Sequence, residues 1–225
     1  MKTDRRSSGN VALDRLLGGG LEVRTITQFY GEPASGKSTL CMIAAVTCLQ
    51  AGHTVVFIDS EGFSIERFRQ IAGTDTEKIA DRLFLFEPID FEQQGIMIAE
   101  AEKILKVHKP GLLVMDSATA LYRNDLEKGR DSIQMLTRQM IQLLGFSKRY
   151  DIPVIVTNQV YIDTIKNTFF GLGGTALEHI SKVIIRLEKT DRPGFRRARL
   201  VKHRSQPEGA SFEFEIVQDG IRGRE

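Results

Sequence analysis

The run Gly31-Glu32-Pro33-Ala34-Ser35-Gly36-Lys37-Ser38 fits the pattern G-x-x-x-x-G-K-[ST] at every defined position. Thr25 to Tyr30 reads as a strand before it, and Lys37 to Ala51 reads as a buried helix after it. That order narrows the possible folds sharply, because a strand, a tight turn and a helix amino end together make a phosphate cradle. Gly31 and Gly36 let the backbone turn so that consecutive N–H groups converge on oxygen. The helix adds the positive end of its dipole. Lys37 brings a point charge to the β- and γ-phosphates, Ser38 offers a hydroxyl to Mg²⁺, and Thr39 follows in the first helical turn. The motif predicts a nucleoside triphosphate site, with ATP and Mg²⁺ as the cofactors. Its bland alternative is a glycine-rich turn that holds nothing.

The rest of the chain supplies the expected surroundings. Strand patterns at Thr54–Asp59, Leu83–Phe86, Leu112–Asp116 and Val154–Asn158 alternate with helical ones at Ser64–Ala72, Phe91–Val107 and Ser132–Arg149. Such alternation predicts right-handed crossovers and a mainly parallel sheet with helices on both faces. Near Lys182–Lys189, Arg197–Lys202 and Ser211–Val217, strands follow one another without helices, which predicts an antiparallel extension at one edge. The segment before Arg24 is polar and Gly-rich, with Gly18-Gly19-Gly20 as a turn. No linker divides the 225 residues, so one α/β domain is expected.

In an open α/β sheet, ligands gather at the carboxyl ends of the strands. Three strand ends carry the right chemistry. Asp116 ends an apolar strand and either holds Mg²⁺ through water or caps the next turn through Ser117 or Thr119. Glu61 follows Asp59-Ser60 and is either the general base for an attacking water or a solvated loop acid. Gln159, after Asn158, is either a hydrogen-bonding sensor of the γ-phosphate or a turn amide.

Composition excludes several classes. The chain is 41% hydrophobic and 27% charged, as soluble globular proteins are. No apolar run approaches the roughly 18–20 residues that span a bilayer, and no apolar segment follows the charged N-terminus, so a cytoplasmic protein is expected. Cys41 and Cys48 lie in an apolar helical run with no further ligands nearby and read as core residues. Net charge is only +2, but the stretch from Arg186 to Arg204 carries eight basic residues against Glu188 and Asp191, a local basic surface.

At this point the motifs resemble those of the RecA/RadA recombinase family. Gly31–Ser38, Ile58-Asp59-Ser60-Glu61-Gly62, Leu113-Val114-Met115-Asp116-Ser117-Ala118-Thr119-Ala120-Leu121-Tyr122-Arg123 and Thr157-Asn158-Gln159-Val160 occur in that family's order and spacing. The resemblance spans nearly the whole chain and implies a RecA-like P-loop ATPase core. No helical domain is expected before the core, nor a Phe-x-x-Ala segment of the kind that joins RadA protomers. Among the family's branches, this combination resembles an archaeal RadA paralogue. It implies DNA binding, slow ATP hydrolysis and a helper role in homologous recombination at the nucleoid, beside a RadA-type recombinase or a Holliday-junction nuclease. By the same resemblance Glu61 is the catalytic glutamate and Gln159 the γ-phosphate sensor. Arg67 falls near an adenine-contacting arginine, one residue closer to Glu61 than in the family.

Two loops are implied for DNA. The first, Tyr122 to Arg130, offers Arg123, Lys128 and Arg130 to phosphates. The second, about Val160 to Thr175, offers Lys166, with Phe169 and Phe170 either stacking on bases or folding into the body. Lys202-His203-Arg204 resembles the Lys-x-Arg finger that DnaB-type helicases and KaiC insert beside a neighbour's γ-phosphate. Lys202 and Arg204 are expected either to act in trans within a homo-oligomer or to extend the DNA surface. A KaiC-like scaffold ATPase that ignores DNA is the second functional reading.

Overall fold

A computed structural model describes residues 4–163 and 168–224. The N-terminal segment is more ordered than its composition suggests. A short pair, β1 (Arg5–Arg6) and β2 (Leu21–Glu22), brackets α1 (Val11–Leu16). Asn10 caps α1 by accepting the Leu13 N–H at 2.9 Å. Leu13, Leu16, Leu17 and Leu21 then reach the core.

β3 (Ile26–Gly31) passes through the glycine turn into α2 (Lys37–Gln50). Then come β4 (Thr54–Asp59), α3 (Ile65–Ala72), α4 (Thr76–Ala80), β5 (Leu83–Phe86), α5 (Phe91–Val107) and β6 (Pro110–Asp116). These are followed by α6 (Ala120–Asn124), α7 (Arg130–Arg149), β7 (Val154–Asn158), β8 (Val160–Asp163) and β9 (Thr168–Gly171). The chain closes with α8 (Gly174–Ile180), β10 (Val183–Lys189), β11 (Phe195–Lys202), β12 (Ser211–Val217) and β13 (Gly220–Arg224).

Nine strands form one sheet in the order β13-β12-β11-β10-β3-β7-β6-β4-β5. From β10 to β5 every neighbour pairs in parallel, and β10, β11 and β12 pair antiparallel with one another in turn, as the sequence predicts; β13 adds a further antiparallel strand. Parallel strands covered on both faces need apolar residues at successive positions. Alternation then divides them between two cores. Val55, Phe57, Leu112, Val114 and Ile155 point to the α2 side. Val56, Ile58, Leu113, Met115 and Val156 point to α5 and α7. Cys41 and Cys48 are both buried in α2. Among the described residues no helix is long and apolar enough to cross a membrane.

Two regions depart from expectation. The stretch read as a long loop after Gln159 forms a β8–β9 hairpin, with Val160 opposite Gly171 and Tyr161 opposite Phe170, and then the seven-residue α8. Its elements are too short for periodicity to announce. β13 also was not foreseen; its pairing with β12 through Val217 and Gly220 is a tight hairpin after Gln218-Asp219.

The antiparallel strands do more than extend the sheet. They curl over the start of α2, so a Cβ added to Gly36 would sit 3.2 Å from the Phe214 ring, which is fully buried. Phe214→Ala should cost roughly 3–5 kcal/mol through lost burial and the cavity left behind, read as a lower midpoint in urea denaturation.

Candidate functional site

The site is assembled where β3, β4, β6 and β7 end. Gly31 closes β3 directly against β10: a Cβ there would fall 2.0 Å from the Leu187 carbonyl oxygen, so only glycine fits. Gly36 adopts φ +101°, a left-handed conformation that glycine takes without a steric penalty. Ala34 is also left-handed, at φ +60°, and its carbonyl accepts from Arg196 Nε of β11 at 2.8 Å. Arg196 is a contact that motif reading missed, because nothing in the P-loop pattern points to a strand far along the chain.

Lys37 Nζ donates to the Gly31 and Glu32 carbonyls, each at 2.9 Å. Burial pushes its pKa down, and the nearby Glu61 and Asp116 carboxylates pull it back up. Inside the loop, the Ser35 hydroxyl is buried with no partner. An orphaned buried hydroxyl, one glycine with no space for a side chain, a second in a left-handed conformation and a cation folded onto the loop make a cradle whose spare groups fit phosphate.

Asp116 ends β6, only 2% exposed. Thr157 donates to its Oδ1 at 2.5 Å. Burial raises its pKa to about 6, while hydrogen bonds from Thr157 and Ser38 pull the other way. Ser38 and Asp116 together are hard oxygen donors on one edge, the set that Mg²⁺ prefers. Thr157 was not singled out from sequence, although a threonine inside the Val-Ile-Val run of β7 is the kind of buried hydroxyl that must find a partner.

Glu61 follows β4 on a turn built by Asp59. The Asp59 carboxylate accepts the Glu61 N–H at 2.8 Å and the Gly62 N–H at 2.6 Å. Ser60 crosses to the next strand, donating its hydroxyl to the Ser117 carbonyl at 2.8 Å. Glu61 Oε1 in turn accepts from Gln159 Nε2 at 2.9 Å. Gln159 sits between β7 and the hairpin, and its carbonyl accepts the Leu172 N–H at 2.8 Å. Asn158 adds a second tie, donating to the Leu172 carbonyl at 2.8 Å and accepting from Thr119 at 2.7 Å. The structure thus brings Lys37, Ser38, Asp116, Glu61 and Gln159 together. It does not bring Arg67 into the cradle: its guanidinium donates to the Gln218 and Gly220 carbonyls at 2.6 and 2.9 Å, tying α3 to the β12–β13 turn.

The expected DNA residues divide. Arg123 at the end of α6 and Arg130 at the start of α7 are exposed. The α7 amino end has Gly129 and no side-chain cap. The side chains of Lys128, Phe169 and Phe170, and Lys166 altogether, lie outside the described residues. Lys202, His203 and Arg204 are engaged at the opposite, amino-terminal end of β3. Lys202 donates to the Glu178 and Ser181 carbonyls at 2.5 and 2.9 Å, capping α8. His203 Nδ1 accepts the Ser205 N–H at 3.0 Å. Arg204 donates to Thr25 at 2.7 Å and pairs with Glu22 at 3.3 Å.

Comparison with known proteins follows the same lines. The Rad51 family matches residues 4–224. A DNA repair and recombination protein RadB of Methanoculleus marisnigri is 65% identical over 224 residues, covering 99% of this chain and 99% of its own. The RadB of Methanococcoides burtonii is 46% identical over 214 residues, covering 93% and 94%. A crystal structure of the RadB recombinase superposes with TM-score 0.83 at 40% identity, covering 97% of this chain and 99% of that one.

The Asp116 environment sets a pH dependence. Its folded pKa of about 6 lies above the ordinary 3.8, so the unfolded chain releases this proton first. Ionisation therefore costs stability progressively from about pH 4 to 6, and the full cost, roughly 3 kcal/mol, stands above that. In Mg²⁺-free buffer, Asp116→Asn should gain stability relative to the unchanged protein as pH rises from 4.5 to 7.5, by up to about that amount, in urea denaturation.

Proposed function

The chain belongs to the Rad51 family, and on that premise we propose that it is an ATP- and DNA-binding accessory protein of homologous recombination and DNA repair. The observation that carries this reading is the position of Gln159. One residue meets Glu61 at the phosphate edge through its side chain and the base of the β8–β9 hairpin through its backbone. On this reading a change at the γ-phosphate reaches the segment expected to touch DNA.

In this reading Lys37 and the turn from Gly31 to Ser38 hold the triphosphate, with Thr39 beginning the helix beneath it. Ser38 and Asp116 would hold Mg²⁺, which would supply charge neutralisation to the phosphates. Glu61 orients and deprotonates the attacking water. Its carboxylate is engaged with Gln159, so hydrolysis waits on realignment and is slow. ATP then serves more as a switch than as fuel. Arg123 and Arg130 meet DNA phosphates, and the uncapped amino end of the 20-residue α7 adds favourable dipole.

A RadA-type recombinase and a Holliday-junction nuclease are the expected protein partners, with single-stranded or branched DNA at the nucleoid. For Lys202 and Arg204, the α8 cap and the Glu22 pair support a structural role; acting in trans on a neighbouring copy requires them to leave those contacts. The names of the relatives do not favour a KaiC-like scaffold function.

Labelled single-stranded DNA should bind saturably at low salt, more tightly with ATP·Mg²⁺ than without, and weaken steeply as salt rises. Lys37→Ala should lose tight ATP binding and with it the ATP-dependent increment, while keeping the basal DNA affinity. Absence of saturable DNA binding at low salt would overturn the reading. Glu61→Gln should keep ATP affinity and lose at least about tenfold in residual phosphate release, the lower end of general-base contributions being larger still.

A further inference from the structure

α6 opens on a threonine that does not cap it. A hydroxyl just before a helix ordinarily accepts an N–H from the first turn, but the Thr119 side chain makes no such bond. Ser117 takes that role, accepting the Thr119 and Ala120 N–H groups at 3.1 Å each. Thr119 is fully buried, and its hydroxyl turns across to the end of β7.

There it bonds two consecutive residues. It donates to Asn158 Oδ1 at 2.7 Å and accepts the Gln159 N–H at 3.0 Å. The first bond decides which way the Asn158 amide faces. With Oδ1 committed to a donor, Nδ2 is left to donate to the Leu172 carbonyl, at 2.8 Å. The Gln159 carbonyl takes the Leu172 N–H, also at 2.8 Å. Leu172, just past the β8–β9 hairpin, is thus gripped at both its backbone polar groups, and the two grips meet at one hydroxyl. The fit is close: a Cβ on Gly171 would lie 2.7 Å from Asn158 Nδ2.

On its other side Thr119 belongs to the turn that follows Asp116. That turn is fastened to the Glu61 loop by Ser60, which donates to the Ser117 carbonyl at 2.8 Å and accepts the Ser117 N–H at 3.0 Å. A buried hydroxyl with both a donor and an acceptor in place transmits a displacement well, because losing either partner leaves a polar group unsatisfied.

We propose that Thr119 is a positioning residue, the side chain through which the turn after Asp116 sets Asn158 and Gln159 and, through them, the base of the hairpin. The proposal rests on the nucleotide reading above and adds the point at which a change at the phosphate edge crosses to β7.

The test follows the Asn158 side-chain amide and the Leu172 backbone amide by NMR in the full chain, with and without a non-hydrolysable ATP analogue and Mg²⁺. Both resonances should shift when the unchanged protein binds the analogue. Thr119→Val, which keeps the side-chain shape and removes the hydroxyl, should lose both shifts while binding the analogue within about threefold of the unchanged protein. Thr119→Ser, which restores the hydroxyl, should recover them. A merely structural role would lower the stability of Thr119→Val yet leave the nucleotide-dependent shifts in place; that result, or failure of Thr119→Ser to recover them, would overturn the proposal alone. If Thr119→Val does not fold, Gly171→Ala displaces the Asn158 amide from the hairpin side and should diminish the same shifts, and full-sized shifts there would overturn the proposal. An unchanged protein that binds the analogue with no shift at either amide would overturn the coupling read from Gln159, and this proposal with it.

Discussion

The contact on which the site depends most is the pressure of the C-terminal strands against the phosphate loop. Leu187 pairs with Gly31 in the β10–β3 ladder and places its carbonyl where a side chain would otherwise stand. Arg196 holds the Ala34 carbonyl, and Phe214 packs on Gly36. The loop is thus fixed at its first, middle and last positions by residues more than 150 positions away in sequence. Preorganisation of this kind lets backbone N–H groups meet an anion without an ordering cost at the moment of binding. It also makes the antiparallel extension integral to the proposed nucleotide site.

A second constraint is electrostatic. Asp59 and Asp116 are both buried at adjacent strand ends, and burial raises the pKa of each. Each is met by a different device: Asp59 by two backbone N–H groups, Asp116 by hydroxyls of Thr157 and Ser38. Asp59 is consumed in shaping the Glu61 turn. Asp116 keeps hydroxyl partners that a cation can share, so of two carboxylates at neighbouring positions of one sheet edge it is the one suited to the proposed Mg²⁺ role.

Much of this was legible in the residues. The apolar runs at Thr54–Asp59, Leu112–Asp116 and Val154–Asn158 are long and β-branched, and the motif glycines are position-specific, so the parallel sheet and cradle follow from local pattern. Contacts that cross the chain were not legible. The family resemblance implies that Arg67 contacts adenine; in the fold its guanidinium is held by the β12–β13 turn. Lys202 and Arg204 read as one basic finger, yet they serve separate ends, the α8 carboxyl terminus and the Glu22–Thr25 strand edge. Charge alone does not reveal whether an arginine already has a partner within the fold. The α1 and α8 helices escaped notice because six or seven residues hold too few turns for a period to emerge.

The central claim is that the phosphate edge and the hairpin are coupled through Gln159. Its carbonyl receives the Leu172 N–H, so that amide reports the hairpin base directly. Hydrogen exchange at Leu172 and the β8–β9 amides, with and without a non-hydrolysable ATP analogue and Mg²⁺, measures the coupling. The account predicts a nucleotide-dependent change in protection there that Gln159→Ala removes while still binding the analogue. Identical protection with and without nucleotide, or an undiminished response in the Gln159→Ala protein, would contradict it.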